Sequence, residues 1–195
     1  MRNFILNCSP VRDGATAALA RLVAEALRAD GPVQERCLDD YEIRYCRGCR
    51  TCHDTAACPI QDGVPQLMAD WEVAQRLVLV TPSYWGDVPG QFKAFIDRCT
   101  PYSNTHEPHA RLSPGKTCSA VVLRTGPNEA ECLRIVDTLR HFCDHLDLPM
   151  GECLTLCGVS NRSEAAARQA EVEAFVHRLR RAGAPPCGQT EGLID

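Results

Sequence analysis

Four cysteines stand at a spacing that suits metal chemistry: Cys46, Cys49, Cys52 and Cys58, a Cys-x2-Cys-x2-Cys-x5-Cys run with Pro59 directly after it. Thiolate sulfur is a soft donor, which selects iron–sulfur groups or zinc over hard cations. The chain between the four is short and carries Gly48, so all of them can turn toward one centre. A proline after the last cysteine also occurs in bacterial ferredoxin runs. The donors by themselves leave three readings open: a [4Fe-4S] cluster, a tetrahedral zinc site, or no metal. His53, inside the run, either tunes such a centre or faces water.

The remaining sulfur is read differently. The chain has 13 cysteines in 195 residues, and a reducing cytoplasm disfavours disulfides. Cys132 and Cys143 fall on a helical stripe with Ile135, Val136, Leu139, Phe142 and Leu146, and a free cysteine packs as a small hydrophobe. They are expected in the core. His106 and His109 flank Glu107 in a polar stretch without a further ligand at helical spacing, which reads as a solvated loop.

A second constellation surrounds phosphate chemistry. Ser9-Pro10-Val11-Arg12-Asp13-Gly14-Ala15-Thr16 follows a short apolar run and leads into a helical pattern. The hydroxyls of Ser9 and Thr16, the cation Arg12 and the free N–H groups of a helix start after Gly14 and Ala15 can together surround a terminal phosphate. Two further loops carry matching features. Pro82-Ser83-Tyr84-Trp85-Gly86 sets two aromatic rings in a turn, where a planar ring system would use them. Thr125-Gly126 supplies another glycine-bearing turn.

The elements that must position these loops are legible as an alternation of short apolar runs with helical stripes, the mark of a parallel sheet covered on both faces. The strands are Phe4 to Leu6, Val33 to Leu38, Leu77 to Val80, Ala120 to Leu123 and Cys153 to Cys157. Between them run stripes such as Leu19, Leu22, Val23, Ala26 and Leu27, ending at Gly31-Pro32. A helix capped by Asp62 carries Val64, Leu67, Met68 and Trp71. The next carries Phe92, Phe95 and Ile96, with Pro89 in its first turn, and the last spans Glu164 to Arg181. Five strands alternating with five helices give an α/β fold with parallel order 2-1-3-4-5. Its ligand crevice lies at the carboxyl ends of strands 1 and 3, where the winding reverses. Strands 1, 3 and 4 are then neighbours, so the three loops meet. The polar stretch from Pro101 to Lys116 is long enough to suggest a functional loop.

Taken together, these motifs resemble those of the flavodoxin-like NAD(P)H-dependent FMN reductases. The family's Gly-Ser-Pro-Arg-x-x-Gly-Asn-Thr is met by Ser9, Pro10, Gly14 and Thr16, while Cys8, Val11 and Ala15 depart from it. Ala15 lacks the phosphate contact that Asn would give. Pro82 to Gly86 and Lys93 to Arg98 look like its Ser-Pro-x-Tyr-Phe-Gly and Lys-x-x-x-Asp-Arg segments. The cysteine run points to the iron–sulfur flavoprotein subgroup. The resemblance implies FMN held by Ser9, Arg12, Gly14, Ala15, Thr16, Pro82 to Gly86, Thr125 and Gly126. It also implies NAD(P)H as transient donor, a small acceptor such as a quinone, nitro or azo compound, and assembly as a homodimer or homotetramer. Asp97 and Arg98 are assigned a structural or subunit-contact role.

Composition sets the outer bounds. With 45% hydrophobic and 24% charged residues the chain suits one domain, residues 1–182 with the cysteine-rich insertion at 46–58, followed by a mobile tail at 183–195. A net charge of -4 without a Lys/Arg block argues against nucleic acid. No apolar run approaches a bilayer span, so no membrane association is expected and the location is read as cytoplasmic. No G-x-G-x-x-G fingerprint marks a separate nicotinamide domain. Two other readings stay open: an electron carrier served by a ferredoxin, and a cysteine-based redox or metal sensor.

Overall fold

Each of the five apolar runs becomes a strand of one parallel sheet, ordered β2-β1-β3-β4-β5, in a computed structural model that describes residues 1–182. The strands are β1 (Asn3–Asn7), β2 (Val33–Cys37), β3 (Arg76–Pro82), β4 (Thr117–Leu123) and β5 (Met150–Leu156). The helices are α1 (Ala15–Leu27), α2 (Thr51–Thr55), α3 (Val64–Val73), α4 (Gly90–Arg98), α5 (Ala130–His145), α6 (Arg162–Ala166) and α7 (Gln169–Arg181). Strands β1 and β3 are buried nearly throughout, because helices cover both faces, while the edge strand β2 is only half-buried.

Side chains alternate across the sheet with the period of two that strands impose. Phe4, Leu6, Leu77, Leu79, Ala120 and Val122 face one core with Trp71, Phe92, Phe95, Leu139 and Phe142. Ile5, Val78, Val80 and Val121 face the other with Leu19, Val23, Leu27 and Phe175. Trp71 is fully buried and meets Phe95 edge-on, with ring centroids 5.3 Å apart, so α3 and α4 share a single aromatic contact layer. Cys132 and Cys143 are fully buried in the first core, as their stripe predicts.

Several expectations need correction. The expected last helix is broken. Asn161 caps α6, its side-chain oxygen accepting the N–H of Glu164 at 3.0 Å, and Arg168 between α6 and α7 donates to the Cys157 carbonyl at 3.0 Å. Capping and that inward bond stop one helix and restart another, a tertiary demand that helical period does not register. Pro89 stands at the cap before α4 rather than in its first turn, and β2 ends at Cys37, where residues 38–40 form a tight 3-10 turn. Asp62 does accept the N–H of Val64 at 3.1 Å, but the cap position of α3 is Gly63 and the carboxylate's main partner is Arg98. The expected tail at 183–195 lies outside the described residues.

Candidate functional site

The loops after β1, β3, β4 and β5 meet at the carboxyl edge of the sheet around a cavity of about 210 Å³. Parallel order forces this: β1, β3 and β4 are adjacent, and in a parallel sheet every strand delivers its following loop to the same edge. The Asn7 side-chain oxygen accepts the N–H of Ser9 at 3.0 Å, and the Ser9 hydroxyl accepts the N–H of Val11 at 3.1 Å, which winds the loop tightly before α1. Gly14 caps α1 without a side-chain bond, leaving the first N–H groups of the helix available to an anion. Ser9 and Thr16 are buried polar residues on the cavity wall.

The second wall comes from β3. Tyr84 and Asp87 exchange N–H to carbonyl bonds at 2.8 and 3.1 Å, closing a two-residue turn whose central residues, Trp85 and Gly86, have φ of 58° and 78°. Two successive positive φ values are the requirement of a type I′ hairpin turn, which glycine meets freely and tryptophan only under constraint. The turn holds the Trp85 ring fully exposed at its apex, with Tyr84 below it on the cavity wall. The Ser83 hydroxyl donates to Glu131 at 2.8 Å, and Glu131 pairs with Arg124 at 3.2 Å, joining the β3 and β4 loops. The Gly126 carbonyl accepts the N–H of Gly158 at 3.2 Å, which joins the β5 loop to them.

Of the residues expected around the flavin, Ser9, Gly14, Ala15, Thr16, Pro82, Ser83, Tyr84 and Thr125 line this cavity. Trp85 and Gly86 form the turn above it, and Gly126 braces the loop behind. Arg12 is turned away: its guanidinium pairs with Asp39 at 2.8 Å and with Asp40, and those two carboxylates hold its pKa above the ordinary value. Sequence reasoning missed Arg124, Val159 and Ser160, which line the cavity. Arg124 directly follows the β4 apolar run, the one signal that would have found it; the β5 loop carries no comparable mark.

The cysteine segment forms a separate site. Cys46, Cys49, Cys52 and Cys58 line one small cavity with Pro59, Ile60, Asp97 and Arg98. Gly48, Arg50 and Ala56 all have positive φ, at 63°, 60° and 55°, so the segment is coiled tightly on either side of the one-turn helix α2. Burial pushes the Cys52 thiol up, and the neighbouring Cys58, Cys46 and Cys49 add to the shift. Cys49 is shifted down by the hydroxyl and N–H of Thr51. Among the described residues no three Cys, His, Asp or Glu side chains are grouped as ligands of a single ion.

His106 departs from the solvated loop expected of it. Its ring stacks on His53 with centroids 4.1 Å apart, and both of its nitrogens are buried without a partner among the described residues. The polar stretch thus lies against the cysteine segment.

Comparison with known proteins bears on the family and the fold. Residues 1–155 match the family described as NADPH-dependent FMN reductase. The chain belongs to that family. An iron–sulfur flavoprotein of Methanocaldococcus jannaschii is 34% identical over 94 residues, covering 48% of this chain and 49% of the relative. The chain therefore aligns with about half the length of such relatives. In structure, the NAD(P)H:quinone oxidoreductase from Methanothermobacter marburgensis superposes with a TM-score of 0.70 at 17% identity, covering 92% of this chain and 97% of the other. An FMN-dependent NADH-azoreductase from Bacillus anthracis gives 0.66 at 13% identity, covering 92% and 99%. These likenesses establish the flavodoxin-like fold of the family. No helix among the described residues is long and apolar enough to cross a membrane.

Proposed function

We propose that the protein is an FMN-dependent oxidoreductase that takes electrons from NAD(P)H and passes them to a small acceptor such as a quinone, nitro or azo compound. The observation that carries the reading is the convergence of the β1, β3 and β4 loops on one cavity with buried hydroxyls and free helix N–H groups. Ser9, Thr16 and the first turn of α1 would hold the terminal phosphate, and Tyr84 and the Trp85 turn would flank the ring. Arg124 supplies positive charge at the cavity wall. Flavin, when bound, supplies the exchange of a hydride for electrons returned in pairs or singly, and the protein positions and tunes it.

The four cysteines are proposed ligands of a [4Fe-4S] cluster, which would supply single-electron transfer. Three features support the fit: soft donors on one cavity, the tightly coiled loop between them, and a buried Arg98 Nε that lacks an acceptor. The enclosed volume is about 20 Å³, room for roughly one water. A cluster therefore needs the outer rim, where Cys46 and Cys49 are exposed.

Anaerobic mixing of FMN-loaded protein with NADPH and with NADH tests the reductase reading. Bleaching of the flavin absorbance by at least one nucleotide is expected; an oxidised spectrum with both would overturn it in favour of a carrier reduced by a ferredoxin. Iron and sulfide analysis on protein purified without air tests the cluster separately.

A further inference from the structure

Arg98, at the end of α4, is the largest fully buried polar side chain among the described residues, and the proposed flavin site makes no use of it. Its guanidinium donates to the carbonyls of Arg44 at 3.0 Å and Ile60 at 3.3 Å, and to both oxygens of Asp62, one at 3.1 Å. Asp62, equally buried, accepts the N–H groups of Arg44 at 2.9 Å and Val64 at 3.1 Å. One ion pair thus fastens the chain immediately before the cysteine run to the chain immediately after it. The sequence separation across the pair is 36 residues, so the clamp closes a long loop through α4.

Stability alone is a weak reason for such a pair. Taking both charges out of water costs several kcal/mol per ion, and well-packed apolar replacements are often as stable. The unused donor is the more telling feature: Arg98 Nε is buried and has no partner among the described residues. It belongs to a side chain that lines the same cavity as the four thiols, with Cys58 close enough to act on the guanidinium. A cationic N–H beside thiols has sulfur as its available acceptor.

We infer that Arg98 is a positioning residue for a sulfur-ligated cluster, clamping the two ends of the cysteine segment and giving a hydrogen bond to sulfur at the site. This rests on the cluster reading above. Hydrogen bonds to sulfur favour the more negative, reduced cluster and so raise its potential. Arg98 would therefore govern both retention of iron and the potential at which it is reduced, while leaving the flavin, held by other loops, unaffected.

The test compares wild type with Arg98→Lys, which keeps the charge but loses the fork, and with the double variant Arg98→Met/Asp62→Leu, which replaces the pair by apolar groups of similar size. All are full-length chains purified without air. The readouts are iron and sulfide per chain, FMN content, thermal midpoint, and the midpoint potentials of cluster and flavin. The expected result is folded, FMN-binding variants that hold iron about 10- to 100-fold less tightly, the range typical of partners of metal ligands. Any cluster remaining in Arg98→Lys should reduce at a lower potential, with the flavin potential unmoved. A folded Arg98→Lys or double variant with wild-type iron, sulfide and cluster potential overturns the role of Arg98 alone. Wild type that carries no iron or sulfide, even after anaerobic reconstitution, overturns the cluster reading and the role together.

Discussion

At the scale of single residues, the two arginines near the crevice show how charge is assigned by partners. Arg12 sits inside the phosphate motif, yet it is spent on Asp39 and Asp40, and so exposed a pair adds little to stability. Arg12→Ala should shift FMN affinity less than about two-fold. Arg124, on the cavity wall, should matter more, and Arg124→Ala should weaken binding measurably. Ala15 offers the opposite change. Ala15→Asn adds a donor at the first residue of α1, and one hydrogen bond of about 1–1.5 kcal/mol would tighten FMN by roughly 5- to 10-fold. Quenching of flavin fluorescence on titration checks all three. Ser9 and Thr16 were legible in the sequence because their geometry is local, set within a few residues of the loop. Arg12 was not, because the carboxylates that claim it are 27 and 28 residues away.

At the scale of elements, strands and long helices were readable from period alone, since β3 and α5 each bury a whole face or stripe. Connections were not. The turn at Trp85-Gly86, though closed by its own ends Tyr84 and Asp87, carries no sequence mark of its type, and the break between α6 and α7 depends on the bond from Arg168 to the distant Cys157 carbonyl. The junction into α3 shows the same dependence. A Cβ on Gly63 would lie 2.8 Å from Tyr41 Cβ and 3.0 Å from the backbone of Glu42, with no flexible end to yield. Gly63→Ala should therefore cost about 1–3 kcal/mol, a fall of about 2–4 °C in thermal midpoint per kcal/mol. Because Gly63 adjoins Asp62, the variant should also loosen the cysteine segment. Differential scanning calorimetry reads the first effect and limited proteolysis the second.

For the whole molecule, ionisation sets two behaviours. Burial pushes the Asp62 carboxyl up, but Arg98 and the N–H groups of Arg44 and Val64 bring it below the ordinary carboxylate value. Asp30 is likewise lowered against burial by Arg180 and Arg76. Groups with depressed folded pKa values stabilise above the unfolded value, about 3.9 for Asp, and that stability is lost as pH falls through the folded value. Denaturant midpoints should hold steady above about pH 5 and decline below pH 4, with a shallower decline in Asp62→Asn from a lower starting stability. The second behaviour concerns sulfur. Burial pushes up the thiols of Cys8 and Cys99, the neighbouring Cys143 and then burial push up that of Cys118, and Cys132 is pushed up to about 12 by burial and by Cys157. Among the described cysteines, an alkylating reagent should therefore reach Cys46 and Cys49 first in folded, iron-free protein, as peptide mass mapping would show.

The ion pairs of Asp30 have one more consequence. Its carbonyl accepts the amino group of Met1 at 3.4 Å, and its carboxylate meets Arg180 of α7 at 2.8 Å. Residue 1 and the end of α7 thus sit together at the amino edge of the sheet, across its full width from the crevice. A surface anchor attached at either point would leave the crevice facing outward, so the protein could be fixed to a support without covering it.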